Sequence, residues 1–266
     1  MQTSSLLISL TTMALTATSA LSSDALYPSK ENRTSSPGNT SYFIDPVKGD
    51  DKQSGLKQNL AWRSFSRINQ LSLAPGDKVK ITAPGSFDQT LMIVGNGTAG
   101  SPVEVSFAAG RYDFHTKNLS RRKFNISNTN ASPEADKLIA IFLQDAKHIT
   151  VAGPGADIIC RGKMIEVCID RCENVSLSGL SFDYQHPTVT EYKVVAVGDG
   201  YVDLQIHKDS QYAIDGGKLT WKGEGWSFAG GLGQELNLET NKVHRCRDPL
   251  NGLTMKELKP FLVRAS

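Results

Sequence analysis

The chain has 266 residues, with 29 Lys and Arg against 27 Asp and Glu, and a formal net charge of +2. This length is enough for one sizeable core or two small ones. The basic residues are scattered and no basic stripe alternates with aromatic side chains, so a nucleic acid is not an expected partner.

The N-terminal segment predicts export. Residues 6–21 form an apolar run that ends in small residues, although Met1-Gln2-Thr3 carries no basic charge. We interpret residues 1–20 as a signal peptide cleaved near Ala20, because the run is too short and too polar for a transmembrane helix. Residues 21–40, rich in Ser, Asn and Pro, are expected to be a disordered linker. The protein would then be secreted or periplasmic, with no membrane span.

Residues 41–83 predict an N-terminal cap and a first coil. A short strand at residues 42–44 leads into a turn rich in Pro, Gly and Asp. Trp62, Phe65, Ile68 and Leu71 then recur every three residues, as on the apolar face of a helix. We expect this helix, residues 60–73, to close the open end of a stack of strands.

Residues 84–183 predict stacked parallel coils. Short β-type runs are separated by turns that leave no room for crossover helices, and the polar residues 111–137 are expected to be an irregular insertion. The sequence KHITVAG, which begins at Lys147, returns as ENVSLSG at Glu173, 26 residues later. Repeats of this kind indicate coils that bury their apolar faces against one another, although a β-sandwich contains similar runs.

The pattern changes after residue 183. Residues 192–206 alternate between apolar and polar around the turn Gly198-Asp199-Gly200, which predicts an antiparallel β-hairpin. We therefore predict an all-β parallel β-helix with an N-terminal capping helix and an antiparallel β insertion at residues 184–250. Residues 251–266 are expected to return to the β-helix, with a short helix near residues 253–262, in a chain that is truncated.

Four cysteines allow three disulfide connectivities: Cys160, Cys168, Cys172 and Cys246. The alternative is that Cys160 and Cys168 are small core residues. Their spacing does not match a zinc site, and no metal or cofactor is expected.

Several segments resemble known carbohydrate-active proteins. YFIDPVKGDD (residues 42–51) and PGDKVKI (residues 75–81) resemble the cap of secreted right-handed β-helix enzymes that act on polysaccharides. A narrower resemblance, to glycoside hydrolase family 110, the α-1,3-galactosidases, covers about Tyr42 to Ser266. It is carried by NVSLSGLSFDYQHPTVTEYKVVAV (residues 174–197), KGEGW (residues 222–226) and ELNLETNKVHRCRD (residues 235–248).

This resemblance implies a secreted right-handed β-helix enzyme that removes terminal α-1,3-linked galactose from glycans, with inversion and without a cofactor. Two departures stand against it. Members of the family are much longer, and their catalytic aspartates lie in coils beyond the point that matches Ser266. Gln185-His186-Pro187 also stands where the family would have a charged run.

Inverting hydrolysis needs two carboxyl groups about 6.5–9.5 Å apart. Asp170, Asp183 and Glu191 all lie in this part of the chain, and we select Asp183 and Glu191 as the candidates. Asp183 leaves a strand just before an irregular loop. The alternative for Asp183 is a turn residue that binds its own backbone. The alternative for Glu191 is a cross-strand charge in the hairpin.

Three residues are candidates for substrate binding by stacking and hydrogen bonding: Tyr184, His186 and Trp226. A surface histidine and a buried tryptophan are the alternatives for the last two.

Two other functions stay open. A non-catalytic carbohydrate-binding β-helix would keep the aromatic residues without a carboxylate pair. A polysaccharide lyase would need a base and often Ca²⁺, for which Asp50-Asp51 is the only adjacent acidic pair before the repeat. The oligomeric state is not predicted.

Overall fold

The computed structural model describes residues 26–124, 134–230 and 232–266. The expected signal peptide lies outside the described residues. The described chain is all-β, as predicted, and besides strands it has short 3₁₀ turns at Lys30–Asn32, Gln58–Leu60 and Ile68–Gln70. Within these ranges we find no helix with the length and apolar character needed to cross a membrane.

The first thirteen strands form what we call the parallel unit, residues 34–184. They are β1 (Thr34–Ser35), β2 (Ser41–Ile44), β3 (Leu71–Ser72), β4 (Lys78–Ile81), β5 (Gly85–Gln89), β6 (Leu91–Ile93), β7 (Val103–Phe107), β8 (Gly110–Asn118), β9 (Ser120–Arg122), β10 (Lys137–Gln144), β11 (Lys147–Arg161), β12 (Ile165–Asp170) and β13 (Glu173–Tyr184). One sheet has the order β2-β4-β7-β11-β8-β5 with β13 also on β11, and a second has the order β12-β10-β6 with β9 on β10. All of these pairings are parallel except that of β9.

The 26-residue repeat is confirmed as a parallel pair of strands. Lys147 lies opposite Glu173 and Val151 lies opposite Leu177. β11 pairs with β7 along its first half and with β8 along its second, and its register with β13 shifts at the bend between them. Each repeat is therefore a strand, a corner and a second strand.

Both parallel sheets share one apolar core. Alternate residues point inward along β7, β8 and β11, and buried residues of β6 and β10 meet them. Phe65, Phe87 and Phe114 stack at the centre, with ring centroids 3.9 to 5.9 Å apart. The period-two alternation of the sequence thus separates core from surface.

The expected capping helix is absent. Trp62, Phe65 and Ile68 are buried as the stripe predicted, but residues 60–73 contain 3₁₀ turns and an extended segment. Trp62 donates its backbone N–H to Phe43 O, and Asp51 Oδ1 accepts from the backbone of Arg63 and Ser64. These bonds occupy backbone groups that a helix would use. The segment nevertheless covers the outer edge of β2.

Two polar segments expected to be irregular are ordered. Residues 110–118 form β8, because the polar side chains of this segment alternate with the buried Tyr112 and Phe114. Within the expected linker, Leu26 and Tyr27 are buried. Tyr27 Oη donates to Asn118 O at 2.5 Å and accepts from Thr90 N at 2.8 Å. A few apolar residues in a polar context are enough to attach each segment to the core.

The remaining strands form what we call the antiparallel unit. They are β14 (Tyr192–Gly198), β15 (Tyr201–Ile206), β16 (Gln211–Asp215), β17 (Lys218–Gly223), β18 (Trp226–Phe228), β19 (Leu232–Asn237), β20 (Lys242–Arg247), β21 (Met255–Lys259) and β22 (Leu262–Ala265). The predicted hairpin is present as β14 and β15. The unit has its own core, in which Trp221 packs with Leu204, Met255 and Val263.

Residues 251–266 do not return to the parallel strands, and the short helix expected there is absent. β21 and β22 form a hairpin, and β22 pairs antiparallel with β15. Met255, Val263 and Ala265 are buried in the core of the antiparallel unit. The segment is held there by these apolar contacts, which a pattern of only a few residues did not reveal.

None of the four cysteines forms a disulfide in the structure. Cys160 is fully buried in the parallel core, which confirms the core interpretation for this residue. Burial raises the pKa of its thiol to about 12, so the reactive thiolate is disfavoured.

Candidate functional site

A cavity of about 310 Å³ lies where the parallel unit meets the antiparallel unit. The end of β13 supplies Asp183 and Tyr184, followed by Gln185. Glu191 comes from the residue before β14, and His207 lies just after β15. The structure thus brings the two predicted carboxylates, 8 positions apart in sequence, into the lining of one cavity.

Asp183 lies at the cavity and also bonds to neighbouring backbone, so the structure leaves both of its interpretations open. Its side chain is exposed and lines the cavity. Its Oδ1 also accepts the backbone N–H of Tyr184 at 2.7 Å, as a turn aspartate does. That bond fixes the carboxylate at the strand end without removing it from the cavity.

Glu191 is held through its backbone against the turn between β15 and β16. Its N–H donates to Ser210 Oγ at 3.4 Å, and its carbonyl oxygen accepts from His207 N at 3.0 Å. His207 and Ser210 also line the cavity. The backbone contacts leave the Glu191 carboxylate to be positioned by its own rotamer.

Tyr184 is tied to the parallel unit. Its hydroxyl donates to Met164 O at 2.6 Å, and its ring packs against the parallel core. Burial, with the negative charge of Glu166 as a lesser cause, holds the pKa of this phenol well above its usual range. The hydroxyl is therefore engaged within the parallel unit.

His186 and Trp226 are not among the residues that line the cavity. His186 Nε2 lies 3.2 Å from Gln211 Nε2, so this half-buried imidazole bridges to β16. Trp226 is half-buried and packs against the core of the antiparallel unit. Its indole N–H is buried and has no hydrogen-bond partner in the part of the chain that the structure describes.

A charged network beside the cavity was missed by the sequence reasoning. Arg161 Nη2 lies 2.5 Å from Glu224 Oε1 and Arg161 Nη1 lies 3.3 Å from Asp113 Oδ1. Arg111 Nη2 lies 2.7 Å from Asp113 Oδ1 and donates to Gln185 Oε1 at 2.5 Å. The network runs from the KGEGW turn of the antiparallel unit, across β11 and β8, to the wall of the cavity.

The arginines of this network stabilise the charged form of its two carboxylates. The hydrogen bond from Arg161 holds the pKa of Glu224 below its usual range. That from Arg111, with Arg161 as a second partner, does the same for the pKa of Asp113. Arg161 is 48 residues from Asp113 and 63 residues from Glu224 in the sequence, so no local spacing predicts these pairs. The only signal in the sequence was Glu224 between two glycines in KGEGW, and that motif alone does not define a role for it.

The described residues contain no group of three or more His, Cys, Asp or Glu side chains arranged to hold a metal ion.

Comparisons with known proteins match both units. A family model described as GLAA-B beta-barrel domain I matches residues 190–266. An alpha-1,3-galactosidase A from Akkermansia muciniphila is 39% identical over 237 residues, which cover 88% of this chain and 39% of that protein. An alpha-1,3-galactosidase A from Bacteroides thetaiotaomicron is 36% identical over 165 residues, 60% of this chain and 29% of that protein. The resemblance to the α-1,3-galactosidases is confirmed.

Among solved structures, a GH136 lacto-N-biosidase from Eubacterium ramulus shares 14% identity with a TM-score of 0.41, over 55% of this chain and 34% of that one. The chain spans about two fifths of the length of the Akkermansia relative.

Proposed function

We propose that this chain acts as a glycoside hydrolase on glycans that end in α-1,3-linked galactose. The observation that carries the proposal is the 39% identity to a protein named alpha-1,3-galactosidase A over 88% of the chain. The acid-lined cavity supports it, because a glycosidase needs carboxyl groups beside its sugar site.

The proposed reaction inverts the anomeric centre. One carboxyl group protonates the leaving glycosidic oxygen while the other activates water on the opposite face of the sugar. We assign Asp183 and Glu191 to this pair from the lining of the cavity alone, because the family resemblance places its catalytic aspartates elsewhere. Tyr184 offers its ring as a wall for the sugar, and we keep His186 and Trp226 as candidates for contacts that flank it.

The proposed architecture is a right-handed parallel β-helix with coils at residues 84–183 and an antiparallel insertion that follows. Support comes from the parallel pairing of successive strands, from the corner repeated in β11 and β13, and from the core shared by two sheets. Parallel connections of this kind are right-handed in nearly all proteins. We also propose export through the signal peptide at residues 1–20.

Hydrolysis of an α-1,3-galactosyl disaccharide by the purified chain tests the function. We expect β-galactose as the first product, followed by NMR before mutarotation, and loss of at least about 100-fold in rate for Asp183→Asn and Glu191→Gln. Asp199→Asn, in the exposed β14–β15 turn, is the control and should keep full activity.

Three outcomes would count against parts of this proposal. If the folded protein releases no galactose, it is not itself a hydrolase of this disaccharide. Binding without hydrolysis would then favour the carbohydrate-binding alternative. Release of α-galactose would exclude inversion, and full activity of both variants would exclude the assigned carboxylates.

A further inference from the structure

The outward faces of β8, β11 and β13 align their polar residues in rows across the sheet. Arg111 lies in register with Asp157, which lies in register with Ser181. In the next row, Asp113 and Asp183 flank Ile159 on either side. The intervening positions, such as Tyr112 and Ile158, are buried in the core. We call these two rows, together with Arg161 and Glu224, the polar face.

The polar face continues directly from the cavity. Asp183 belongs to both, and Gln185 of the cavity wall accepts a hydrogen bond from Arg111 of the polar face. Asp113 and Asp183 are separated by one strand, so their Cα atoms are about 10 Å apart, twice the spacing of neighbouring strands. A chain of sugars that leaves the cavity on this side must cross the polar face.

The charge of the polar face is negative. Four carboxylates (Asp113, Asp157, Asp183 and Glu224) stand against two guanidinium groups. Arg111 and Arg161 are already engaged by Asp113 and Glu224. Asp157 accepts the Ser181 hydroxyl at 2.5 Å, and the described residues give neither Asp157 nor Asp183 an ion-pair partner. Among the described residues, the face therefore keeps two carboxylates without an ion-pair partner, Asp157 and Asp183, as acceptors for hydroxyl groups, while both guanidinium groups already have acidic partners.

We propose that the polar face binds the neutral sugar rings that follow the terminal galactose and discriminates against anionic rings. This inference rests on the proposed function, since it assumes that the terminal sugar occupies the cavity. Ile159 supplies an apolar spot between two carboxylates, which suits the C–H surface of a sugar ring. Glu224, through Arg161, Asp113 and Arg111, acts as a positioning residue for the face and for Gln185.

The test compares matched probes by NMR titration at low salt, with the full chain carrying Glu191→Gln so that the probes stay intact, while hydrolysis is measured on the wild type. The probes are the α-1,3-galactosyl disaccharide, a neutral trisaccharide that extends it, and the same trisaccharide with a sulfate on the third ring. We expect the neutral trisaccharide to bind more tightly than the disaccharide, and at least about fivefold more tightly than the sulfated one, because like charges repel at this range.

Charge reversal provides the discriminating variant. Asp157→Lys, at an exposed position outside the cavity, should raise the affinity for the sulfated probe at least about fivefold. Asp199→Lys introduces the same charge in the β14–β15 turn and should leave the ratio of the two affinities unchanged. Circular dichroism confirms that each variant is folded.

The inference is overturned if the sulfated probe binds as tightly as the neutral one, if Asp157→Lys behaves like Asp199→Lys, or if none of the sugars binds. Hydrolysis measured in parallel separates the two proposals. If galactose is released but Asp157→Lys does not change binding of the sulfated probe, only the role of the polar face is contradicted. If binding depends on charge but no galactose is released, only the catalytic function is contradicted.

Discussion

Gly179 occupies the corner of β13 with a φ of +72°. A Cβ atom at this position would lie 2.9 Å from Pro154 N and 3.0 Å from Pro154 Cα, both backbone atoms of the preceding repeat. The corner is therefore possible only because the residue has no side chain, which explains why a glycine closes the second copy of the repeat at this point.

We predict that Gly179→Ala lowers the free energy of unfolding by about 3 kcal/mol, from left-handed strain together with the backbone clash. Gly200→Ala is the matched control. Gly200 has a φ of +73° but open space around its Cα, so strain alone should cost about 1 kcal/mol. Urea unfolding followed by circular dichroism measures both, and equal losses would contradict the close approach at the corner.

The sequence predicts the location of a single residue where that location depends only on the residue type and its place in a local element. Asp183 and Glu191 could be singled out because a carboxylate at a strand end is a local feature, and both lie in the cavity. The binding of the Tyr184 hydroxyl to Met164 O was not predictable. It depends on how the end of β13 lies over the preceding turn, which no local spacing encodes.

At the scale of elements, β13 has a neighbour on one side only among the described strands. Val175, Leu177 and Leu180 are half-buried against the core. From Asn174 to Phe182 the strand carries no charged residue and no proline. Edge strands of soluble proteins are usually protected by such residues, so this edge is suited to pair with another strand.

We predict that the purified chain associates at micromolar concentration through β13 and that Ser176→Lys suppresses the association. Ser176 is exposed, so the change places a charge on the edge without disturbing the core. Ser227→Lys, at an exposed position in β18, is the control. Light scattering coupled to size exclusion measures the mass. A monomeric wild-type chain, or equal association of both variants, would contradict the prediction.

The elements show where periodicity succeeds and where it fails. The 26-residue repeat and the β14–β15 hairpin followed from the sequence, because inward-facing residues and turn glycines repeat locally. The stripe at Trp62, Phe65 and Ile68 identified buried residues correctly but gave the wrong element. Spacing by three fits a helix as well as successive 3₁₀ and extended turns, and contacts with Asp51 and Phe43 decide between them.

At the scale of the whole molecule, the two units have separate cores. The Arg161–Glu224 pair, at 2.5 Å, joins them beside the cavity. No pattern in the sequence predicted this contact, because it depends on how the antiparallel unit lies against β11. The sequence could therefore indicate both kinds of sheet but not the arrangement that forms a site between them.

We predict that the Arg161–Glu224 pair couples the unfolding of the two units and that acid weakens the coupling. The folded-state pKa of Glu224 lies below its usual value. Its contribution to stability is therefore complete above the pKa of the unfolded chain, about 4.3, and is lost as the pH falls through the lower folded pKa. The pKa of Asp113 is shifted in the same direction, so the whole network loses strength in acid.

Calorimetry of Glu224→Gln at pH 7 and pH 3 tests this coupling. Because the Glu224 side chain is 30% exposed, we expect a loss of about 1 kcal/mol at pH 7, two separated transitions, and a weaker pH dependence than in the wild type. Glu173→Gln breaks the Lys147–Glu173 pair, which lies within the parallel unit, and should leave the units coupled. If both variants unfold alike at both pH values, the Arg161–Glu224 pair does not couple the two units, and other contacts must hold the units together around the cavity.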